Sequence, residues 1–403
     1  MKTKKLCIAM VGLPARGKST TALKLKENLL KDGIKTRIFN NGNLRRQFIH
    51  LDTSSALFYS PDNEEGAKLR EHIANINIRR AREYLNRQGN VAILDATNAR
   101  KERRKKIVDE LGDFPILFLE CVNLDEEILE ASILTKIRMP EFQHLSEHAA
   151  VKSFRDRIQY YQKFYDPIRR ARNHIRLDSL NNQLLREEIT DKLPYYDLIR
   201  DLLVSDSVRN LFLIRHGETY FNLENRIGGD SPLTGKGLEQ AKRLAVYFSR
   251  KRIPVIFTSQ KIRTMQTADP IKKMQQNCTI IPIREFNEID SGVCEGMSYE
   301  EIQATMPEVY KARKVNKYNY VYPEGEGYAT MKDRISRGIK KALYLSNNSQ
   351  NVMIVAHRAA NRMILSHFLY RRTEDVPYIY IPQDKFYHIV GVHNKKLFQL
   401  KRF

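Results

Sequence analysis

The chain has 403 residues, of which 42% are hydrophobic, enough for the cores of two ordinary domains. Lysine and arginine number 69 against 47 acidic residues, so the formal net charge is +22 and anionic substrates or partners are favoured. The composition excludes a collagen-like or low-complexity chain, and no apolar stretch approaches the roughly 20 residues of a membrane span.

The opening segment, MKTKKLCIAMVGL, has the lysines and the short apolar run of a signal peptide. It leads directly into a glycine-rich loop without a small-residue cleavage site, so a first β-strand is predicted instead. The four cysteines are far apart in the sequence and form no CxxC pair, which argues against a zinc knuckle or a redox motif. Reduced thiols are typical of a cytoplasmic protein, and we expect that location.

The amino-terminal half alternates short apolar runs with helical patterns. Strands are predicted at 5–12, 35–40, 90–98 and 114–121, and helices at 18–32 and 64–88. Apolar strands separated by helices indicate a parallel sheet that is covered on both faces. This half is therefore predicted to be an α/β domain.

The segment GLPARGKS, from Gly12 to Ser19, has the spacing of a phosphate-binding loop. Its glycines let backbone N–H groups turn inward, and the following helix directs its positive end at the phosphates. A chance glycine turn is the alternative, but the strand before the loop and the helix after it argue against that. Lys18 is predicted to reach the β- and γ-phosphates of ATP, and Ser19 to bind Mg²⁺. The predicted nucleotide-binding residues are Gly12, Leu13, Pro14, Ala15, Arg16, Gly17, Lys18, Ser19 and Thr20.

Asp95 ends the apolar strand of VAILDATN, at the edge where parallel sheets bind their ligands. It is predicted to lie beside Mg²⁺ or to accept the proton of an acceptor hydroxyl, although capping of the next helix is a plainer alternative. Ser19 and Asp95 are thus the predicted metal-site residues. Many arginines occur in this half; most surface arginines only solvate a helix, but a phosphorylated acceptor would need several guanidinium groups.

The second unit is predicted to begin near residues 205–208. An apolar strand ends in Arg215 and His216, and a capped helix is predicted at 233–248. A strand followed by a helix then carries Arg263, and a further apolar strand ends in His357. Two histidines that end separate strands beside arginines indicate a phosphoryl-transfer site.

Each group in this set has a specific chemical use. A neutral imidazole can attack a phosphoryl group if its other nitrogen is fixed by a hydrogen bond. Arginines and a second, protonated histidine are expected to hold the phosphoryl oxygens. Glu288 is a candidate to protonate the departing alkoxide.

The segments RHGET, LTGKGLEQA and SQKIRTMQTA resemble the histidine-phosphatase superfamily. The segments GLPARGKS, DATN, MPEF, RIGGDS, NEIDSGVCEGMSYEEI and KYNYVYPEGEGY resemble, in register over almost the whole chain, the family of bifunctional 6-phosphofructo-2-kinases/fructose-2,6-bisphosphatases. The resemblance implies a P-loop kinase domain over 1–206 and a histidine-phosphatase domain over 207–403, each a mainly parallel sheet flanked by helices. It also implies ATP-dependent phosphorylation of fructose 6-phosphate at O2, and hydrolysis of that phosphate through a phosphohistidine.

The resemblance further implies a role for individual residues. Catalytic roles in the kinase fall to Lys18, Asp95 and Lys136. Fructose 6-phosphate would be held by Arg46, Arg70, Thr97, Arg103, Arg157 and Tyr161. In the phosphatase, His216 would be the nucleophile, Glu288 the proton donor and His357 the phosphoryl stabiliser. The 2-phosphate would lie among Arg215, Asn222, Gly229 and Arg263, and the 6-phosphate end among Tyr299, Arg313, Lys317, Tyr328 and Arg362.

The sequence departs from the family at several places. Residues 131–136 read ASILTK where the family has Asn-Ile-Arg-Gln-Val-Lys, so Ala131, Ile133 and Leu134 are expected to offer ATP only apolar contacts and to weaken its binding. Asn123 stands where the family has a cysteine, and Arg358 where it has a glutamine. The long terminal regulatory extensions of the family are also not expected here.

Two other functions stay open at this point. One is a phosphatase whose kinase unit is weak or only senses nucleotide. The other, less favoured, is a nucleic-acid end-healing kinase-phosphatase, which the net charge suits and which would bind in a strongly salt-dependent way. We expect small-molecule substrates, no nucleic-acid partner and no membrane association; a homodimer is left open.

Overall fold

The computed structural model of the protein describes residues 4–49, 51–169, 172–346, 349–369, 372–392 and 395–403. The chain divides into two compact units, Met1–Ser205 (unit 1) and Asp206–Phe403 (unit 2). Among the residues described, no helix is both long enough and apolar enough to cross a membrane.

Unit 1 is built on a six-stranded sheet with the strand order β2-β3-β1-β4-β5-β6. Its first five strands are parallel, and β6 is antiparallel at one edge. The strands are β1 (Leu6–Val11), β2 (Thr36–Asn40), β3 (Val91–Asp95), β4 (Ile116–Val122), β5 (Asn173–Asp178) and β6 (Gln183–Ile189). The helices are α1 (Lys18–Lys31), α2 (Asn41–Phe48), α3 (Glu64–Asn86), α4 (Lys101–Leu111), α5 (Glu126–Lys136), α6 (Glu147–Lys163) and α7 (Tyr196–Val204).

Strand β1 shows why the sheet is covered on both faces. Every residue of β1 is buried, and alternate side chains enter two different hydrophobic clusters. Leu6, Ile8 and Met10 pack with residues of α1 and α7, whereas Cys7 and Ala9 pack with residues of α3 and α4. An uninterrupted apolar strand between two helical layers has this pattern, because successive side chains point to opposite faces.

Unit 2 is built on a second six-stranded sheet, with the order β12-β11-β7-β10-β8-β9. Strands β7 to β10 are mutually parallel, and β11 and β12 add antiparallel strands at one edge. The strands are β7 (Val208–Arg215), β8 (Val255–Thr258), β9 (Thr279–Pro282), β10 (Asn351–Ala356), β11 (Lys385–Val392) and β12 (Lys395–Arg402). The helices are α8 (Tyr220–Leu223), α9 (Gly235–Phe248), α10 (Ile262–Lys273), α11 (Tyr299–Thr305), α12 (Pro307–Val315), α13 (Tyr328–Leu345) and α14 (Arg358–Phe368).

The register of unit 2 brings its two strand-end histidines together. In the parallel pair of β7 and β10, Arg215 lies opposite Ala356. His216 and His357 follow these two residues directly, and the His216 backbone N–H donates to the Ala356 carbonyl at 3.0 Å. The two imidazoles therefore emerge side by side from the same edge of the sheet.

The structure confirms the predicted mainly parallel α/β architecture of both units. The predicted strands and helices are present with ends that differ by a few residues, for example β3 as Val91–Asp95 against 90–98 and α3 as Glu64–Asn86 against 64–88. The antiparallel edge strands β6, β11 and β12 were not predicted.

Candidate active sites

The loop between β1 and α1 has the backbone of a phosphate-binding loop. Ala15 and Gly17 have positive φ angles of 58° and 78°, and Gly12 has φ 135°. A Cβ on Gly12 would lie 2.4 Å from the Cys121 carbonyl oxygen, so only glycine fits there. Helix α1 begins at Lys18 without a side-chain cap and without an acidic residue in its first turn. Its N-terminal N–H groups and its dipole are thus available to an anion.

Lys18 lies with Asp95 and Lys136 at the carboxyl edge of the sheet. The Lys18 ammonium donates to the Leu13 carbonyl at 2.6 Å, within its own loop. Burial, opposed by the nearby Asp95 carboxylate, lowers the pKa of Lys18 to about 8. Burial also lowers the pKa of Lys136, and Asp95 again opposes the shift. The buried Asp95 carboxylate accepts a hydrogen bond from the amide of Asn40, which fixes its orientation.

These residues fit the phosphates of ATP. Two ammonium groups face one carboxylate, and an uncapped helix start supplies backbone donors. Among the residues described, no group of three or more His, Cys, Asp or Glu side chains could hold a metal ion. If Mg²⁺ binds here, phosphate oxygens and water would supply most of its ligands, as is usual for this ion. Ser19, on the first turn of α1, and Asp95 are the protein groups available to it.

Helix α5 carries the ASILTK segment, and the burial of its apolar side chains differs from our expectation. Ile133 does not present an apolar face to a nucleotide: it is buried in a hydrophobic cluster with Phe142 and Phe154, against which Ala15 of the loop packs. Leu134 is 40% exposed. Asn123 is buried after β4, and its backbone carbonyl accepts a hydrogen bond from Arg16. The packing of α5 against α6 accounts for an apolar residue at 133.

A cluster of arginines in unit 1 surrounds one buried carboxylate, Glu141. Glu141 is ion-paired with the buried Arg45, and its oxygens lie 3.7 Å from Arg46 and 3.8 Å from Arg157. Arg157 also lies over the ring of Tyr59, 3.9 Å from its centroid. Three guanidinium groups around one carboxylate leave a net positive site, which suits a phosphorylated acceptor.

The other predicted acceptor residues lie around this cluster at different distances. Arg70 donates to the Phe58 carbonyl, and Arg103 is ion-paired with Glu71 on α3. Tyr161 packs against Tyr59, with ring centroids 6.0 Å apart. The carbonyl of Thr97 accepts the Gly12 N–H at 3.0 Å, so Thr97 belongs to the edge of the phosphate loop. Within the part of the chain that the structure describes, the buried Nε groups of Arg103 and Arg157 have no hydrogen-bond partner, and a bound anion would supply one.

His216, at the end of β7, has the protonation required of a nucleophile. Its Nδ1–H donates to the Gly217 carbonyl at 2.8 Å, which leaves Nε2 with a free electron pair. Burial, and then the positive charges of Arg263 and Arg215, hold its pKa well below 6.5. A Cβ on Gly217 would lie 2.6 Å from the Gly237 carbonyl oxygen, so glycine is required directly after the histidine.

His357 lies beside His216, with ring centroids 5.3 Å apart. Its Nδ1 accepts from the Arg263 Nε–H at 3.1 Å, and its Nε2 lies 2.7 Å from the Ser259 hydroxyl. Burial and the charge of Arg263 hold its pKa well below 6.5. A ring that accepts from a guanidinium at Nδ1 is neutral in this geometry. A protonated second histidine that holds the phosphoryl oxygens of a bound substrate stays a prediction.

Two arginines flank the histidines. Burial and neighbouring cations, Arg358 first, lower the pKa of Arg215 to about 10. Its Nε is buried and has no hydrogen-bond partner among the residues that the structure describes. Arg263 donates to the Gly229 carbonyl at 2.8 Å. Gly229 has φ 61°, and a Cβ there would lie 2.5 Å from the ring of Phe221. The structure thus brings Arg215, Arg263 and Gly229 to the same pocket as the histidines.

Asn222 is oriented by a residue that the sequence did not reveal. Its side-chain oxygen accepts from the Gln383 amide at 2.8 Å and from the Thr219 N–H at 3.2 Å. The same Gln383 amide lies 3.4 Å from the His216 carbonyl. With its oxygen engaged, Asn222 can turn its amide N–H₂ toward a bound anion.

Glu288 lies at the N-terminus of α14. Its Oε1 accepts from the N–H groups of Ile289, Ala359 and Ala360 at 3.1, 3.0 and 3.1 Å. Among the described residues, Oε2 accepts only from Ala359, at 3.2 Å. Glu288 is thus a helix cap as well as a candidate proton donor, and Oε2 is the oxygen with free capacity.

The predicted 6-phosphate residues form two linked pairs. Arg362 donates to the Tyr328 hydroxyl at 2.8 Å, and Arg313 donates to the Tyr299 hydroxyl at 2.7 Å. Lys317 lies within electrostatic range of both arginines, and burial together with those charges lowers its pKa to about 8. Arg358, the departure from the family, is exposed at the start of α14 and adds a further cation to this end.

Sequence reasoning missed several of the residues that complete these sites: Asn40, Tyr59, Glu141, Ser259 and Gln383. Glu141 lies within MPEF, a segment that carried the resemblance, but nothing in its spacing showed that it would meet three arginines. Asn40 ends a predicted strand next to the strand of Asp95, which was a usable signal.

Comparison with known proteins agrees with this geometry. Residues 1–196 match the 6-phosphofructo-2-kinase family, and residues 211–402 match branch 1 of the histidine phosphatase superfamily. The chain is 34% identical over 386 residues to human 6-phosphofructo-2-kinase/fructose-2,6-bisphosphatase 4, covering 93% of this chain and 80% of that protein. It is 34% identical to 6-phosphofructo-2-kinase/fructose-2,6-bisphosphatase of Arabidopsis thaliana, over 94% of this chain and 51% of that protein.

Solved structures also resemble one half of the chain. The alpha-ribazole phosphatase of Shigella flexneri is 24% identical with a TM-score of 0.45, and the alignment covers 48% of this chain and 96% of that one. The family assignment rests on the two domain matches and on the full-length relatives. The chain belongs to the 6-phosphofructo-2-kinase/fructose-2,6-bisphosphatase family.

Proposed function

We propose that the chain both makes and breaks down fructose 2,6-bisphosphate. The observation that carries the proposal is that each unit holds its own phosphoryl-handling set: a phosphate loop with Lys18 and Asp95 in unit 1, and the His216–His357 pair among arginines in unit 2. Its relatives carry the names of both activities. The four thiols support a cytoplasmic location, and a homodimer stays a prediction.

In unit 1, fructose 6-phosphate would place its phosphate against Arg46 and Arg157 and its O2 hydroxyl near Asp95. Asp95 accepts the O2 proton as O2 bonds to the γ-phosphorus of ATP and the bond between that phosphorus and the departing ADP oxygen breaks. Asn40 holds the Asp95 carboxylate in position for this transfer. Lys18 would exchange its bond with the Leu13 carbonyl for phosphate oxygens.

Mg²⁺, held at Ser19 with Asp95 beside it, would neutralise phosphate charge when bound. Lys136 approaches the same region from the end of α5 and would stabilise the phosphoryl group in transit. The burial of Ile133 in the α5–α6 cluster removes one reason to regard unit 1 as a mere nucleotide sensor.

In unit 2, the free Nε2 electron pair of His216 attacks the phosphorus of the 2-phosphate. The bond between phosphorus and O2 breaks, and O2 takes a proton from Oε2 of Glu288. Arg215 and Arg263 hold the equatorial oxygens, and the unpartnered Nε of Arg215 gains its acceptor. The products of this step are fructose 6-phosphate and a phosphohistidine.

Hydrolysis then restores the enzyme. Glu288, now ionised, accepts a proton from a water that attacks the phosphohistidine, and the N–P bond breaks to release inorganic phosphate. His357 stays fixed by Arg263 and Ser259, so it can orient the phosphoryl oxygens through both steps.

The test measures both reactions on the full chain. We expect fructose 2,6-bisphosphate to form from ATP and fructose 6-phosphate, and inorganic phosphate to be released from fructose 2,6-bisphosphate. A chain that performs only the second reaction would refute the bifunctional proposal, and phosphorylation of 5′-hydroxyl nucleic-acid ends instead of fructose 6-phosphate would refute the kinase substrate.

A further inference from the structure

A cavity of about 450 Å³ lies in unit 1 between the edge strand β2 and the last turns of α3. Its lining residues belong to β2, to α3 and to the segment directly after α3, and none of them is a residue of the phosphate loop. Along α3, Arg70 at the kinase site and Tyr84 at the cavity are 14 residues apart, or about 21 Å at 1.5 Å per residue. None of the kinase roles proposed above uses this cavity.

The walls of the cavity carry an uncompensated positive charge. Arg37, Arg80 and Arg87 are exposed, and within the described part of the chain none of them forms an ion pair with a carboxylate. Arg82, on the same helix but outside the cavity, is by contrast ion-paired with Asp113. Glu83 is the single acidic residue of the lining beside three arginines, so the lining has a net charge of +2.

Two of these guanidinium groups are placed by aromatic rings. Arg37 lies 5.5 Å from the centroid of Phe39, and Arg80 lies 5.7 Å from that of Phe48. A guanidinium attracted to the face of a ring still has N–H groups for hydrogen bonds. This geometry favours anions with several acceptor oxygens.

The floor of the cavity is aromatic. The rings of Phe39 and Tyr84 meet edge to face, with centroids 5.9 Å apart. Gly89 makes room for Tyr84, because a Cβ there would lie 2.2 Å from that ring. The Tyr84 hydroxyl forms no hydrogen bond with another described residue, and Arg37 is near enough to oppose the rise that burial causes in its pKa. A donor hydroxyl therefore lies beside a guanidinium.

We propose that this cavity binds a small phosphorylated metabolite. Arg37, Arg80 and Arg87 hold the phosphate, with a further hydrogen bond from the Tyr84 hydroxyl. The organic part lies against the aromatic floor and meets the carboxamide of Gln88. The volume falls in the range of small-molecule sites, roughly 300–1,000 Å³.

The absence of tryptophan from the sequence allows a local test. A Gln88→Trp variant of the full chain carries a single tryptophan at the cavity, and its fluorescence is titrated with AMP, with inorganic pyrophosphate and, as the uncharged control, with adenosine. We expect a saturable change with at least one of the two phosphates, half complete below about 1 mM, and none with adenosine. The kinase and phosphatase sites also bind phosphates, but they do not contain the reporter.

Paired variants in the Gln88→Trp background separate a built site from general charge attraction. Arg80→Ala/Arg87→Ala should weaken binding by about tenfold or more. Arg79→Ala/Lys68→Ala removes the same charge from α3 outside the cavity and should leave binding within about twofold. Glu83→Gln should strengthen binding severalfold, because it removes the one repelling carboxylate. The proposal would be overturned if the two double variants weakened binding equally. A Glu83→Trp variant serves as a second reporter, and the proposal would also be overturned if neither phosphate gave a saturable response in either reporter.

Discussion

Glu141 offers a direct test of how unit 1 balances stability against substrate binding. Its buried carboxylate is shared by Arg45, Arg46 and Arg157. Glu141→Gln keeps one acceptor oxygen but removes the negative charge, which leaves the buried Arg45 guanidinium uncompensated. Breaking a buried ion pair from one side costs about 3–5 kcal/mol. Because the amide oxygen retains a hydrogen bond, we expect the lower end, about 3 kcal/mol.

The assay must report on unit 1 alone. Urea unfolding followed by amide hydrogen exchange in β1 and β3 does so, since both strands lie inside that unit. With a urea m-value of about 2 kcal/mol/M, a loss of about 3 kcal/mol lowers the midpoint by about 1.5 M. Under folding conditions the same variant should bind fructose 6-phosphate severalfold more tightly, because Arg46 and Arg157 lose their competing carboxylate.

The matched control is Glu130→Gln, which removes an exposed partner of Arg155 on the same unit and should leave the midpoint unchanged. If Glu141→Gln also left the midpoint within about 0.3 M, at the m-value used above, the carboxylate would not be compensating the arginines and the reasoning would fail.

Three further predictions concern the chemical steps. Lys18→Met should reduce the kinase rate by about a hundred- to a thousandfold and spare the phosphatase rate; a loss below about tenfold would show that the loop is not catalytic. Glu288→Gln should slow phosphorylation of His216 in single-turnover experiments by about 10²–10⁴-fold, while the unfolding temperature changes little. Glu288→Ala should lower both the phosphorylation rate and the unfolding temperature, since it also removes the cap of α14. Because burial holds the pKa of His216 below 6.5, the rate of phosphohistidine formation should not fall as the pH is lowered to 6.5. Below that pH, unit 2 should lose stability, because only the unfolded chain takes up the proton. A rate that halves at pH 6.5 through protonation of His216 would contradict this prediction.

The sequence predicted those features that depend on short segments. Strand β1 is apolar at every position and is followed by a glycine loop, so both its ends were readable. Asp95, His216 and His357 were found because each directly ends such a strand. The edge strand β6, QLLREEI, is half polar and pairs on one side only, so its pattern did not distinguish it from a loop.

Other features depend on contacts between distant residues and could not be read from the sequence. Glu141 meets Arg45 across 96 positions, and Gln383 meets Asn222 across 161. The protonation of His357 depends on complete burial beside Arg263, which spacing does not encode. The direction in which the Ile133 side chain points is set by the packing of α5 on α6, and the sequence of residues 131–136 does not reveal that packing.

The central claim is that His216 in unit 2 carries the phosphoryl group and that unit 1 works without it. The most direct measurement is a brief incubation of the wild type and His216→Ala with fructose 2,6-bisphosphate labelled at the 2-phosphate, with the kinase rate measured on the same preparations. We predict an acid-labile, base-stable phosphoprotein in the wild type, no label on His216→Ala, and equal kinase rates. Equal labelling of the variant, or loss of its kinase activity while it stays folded, would contradict the account.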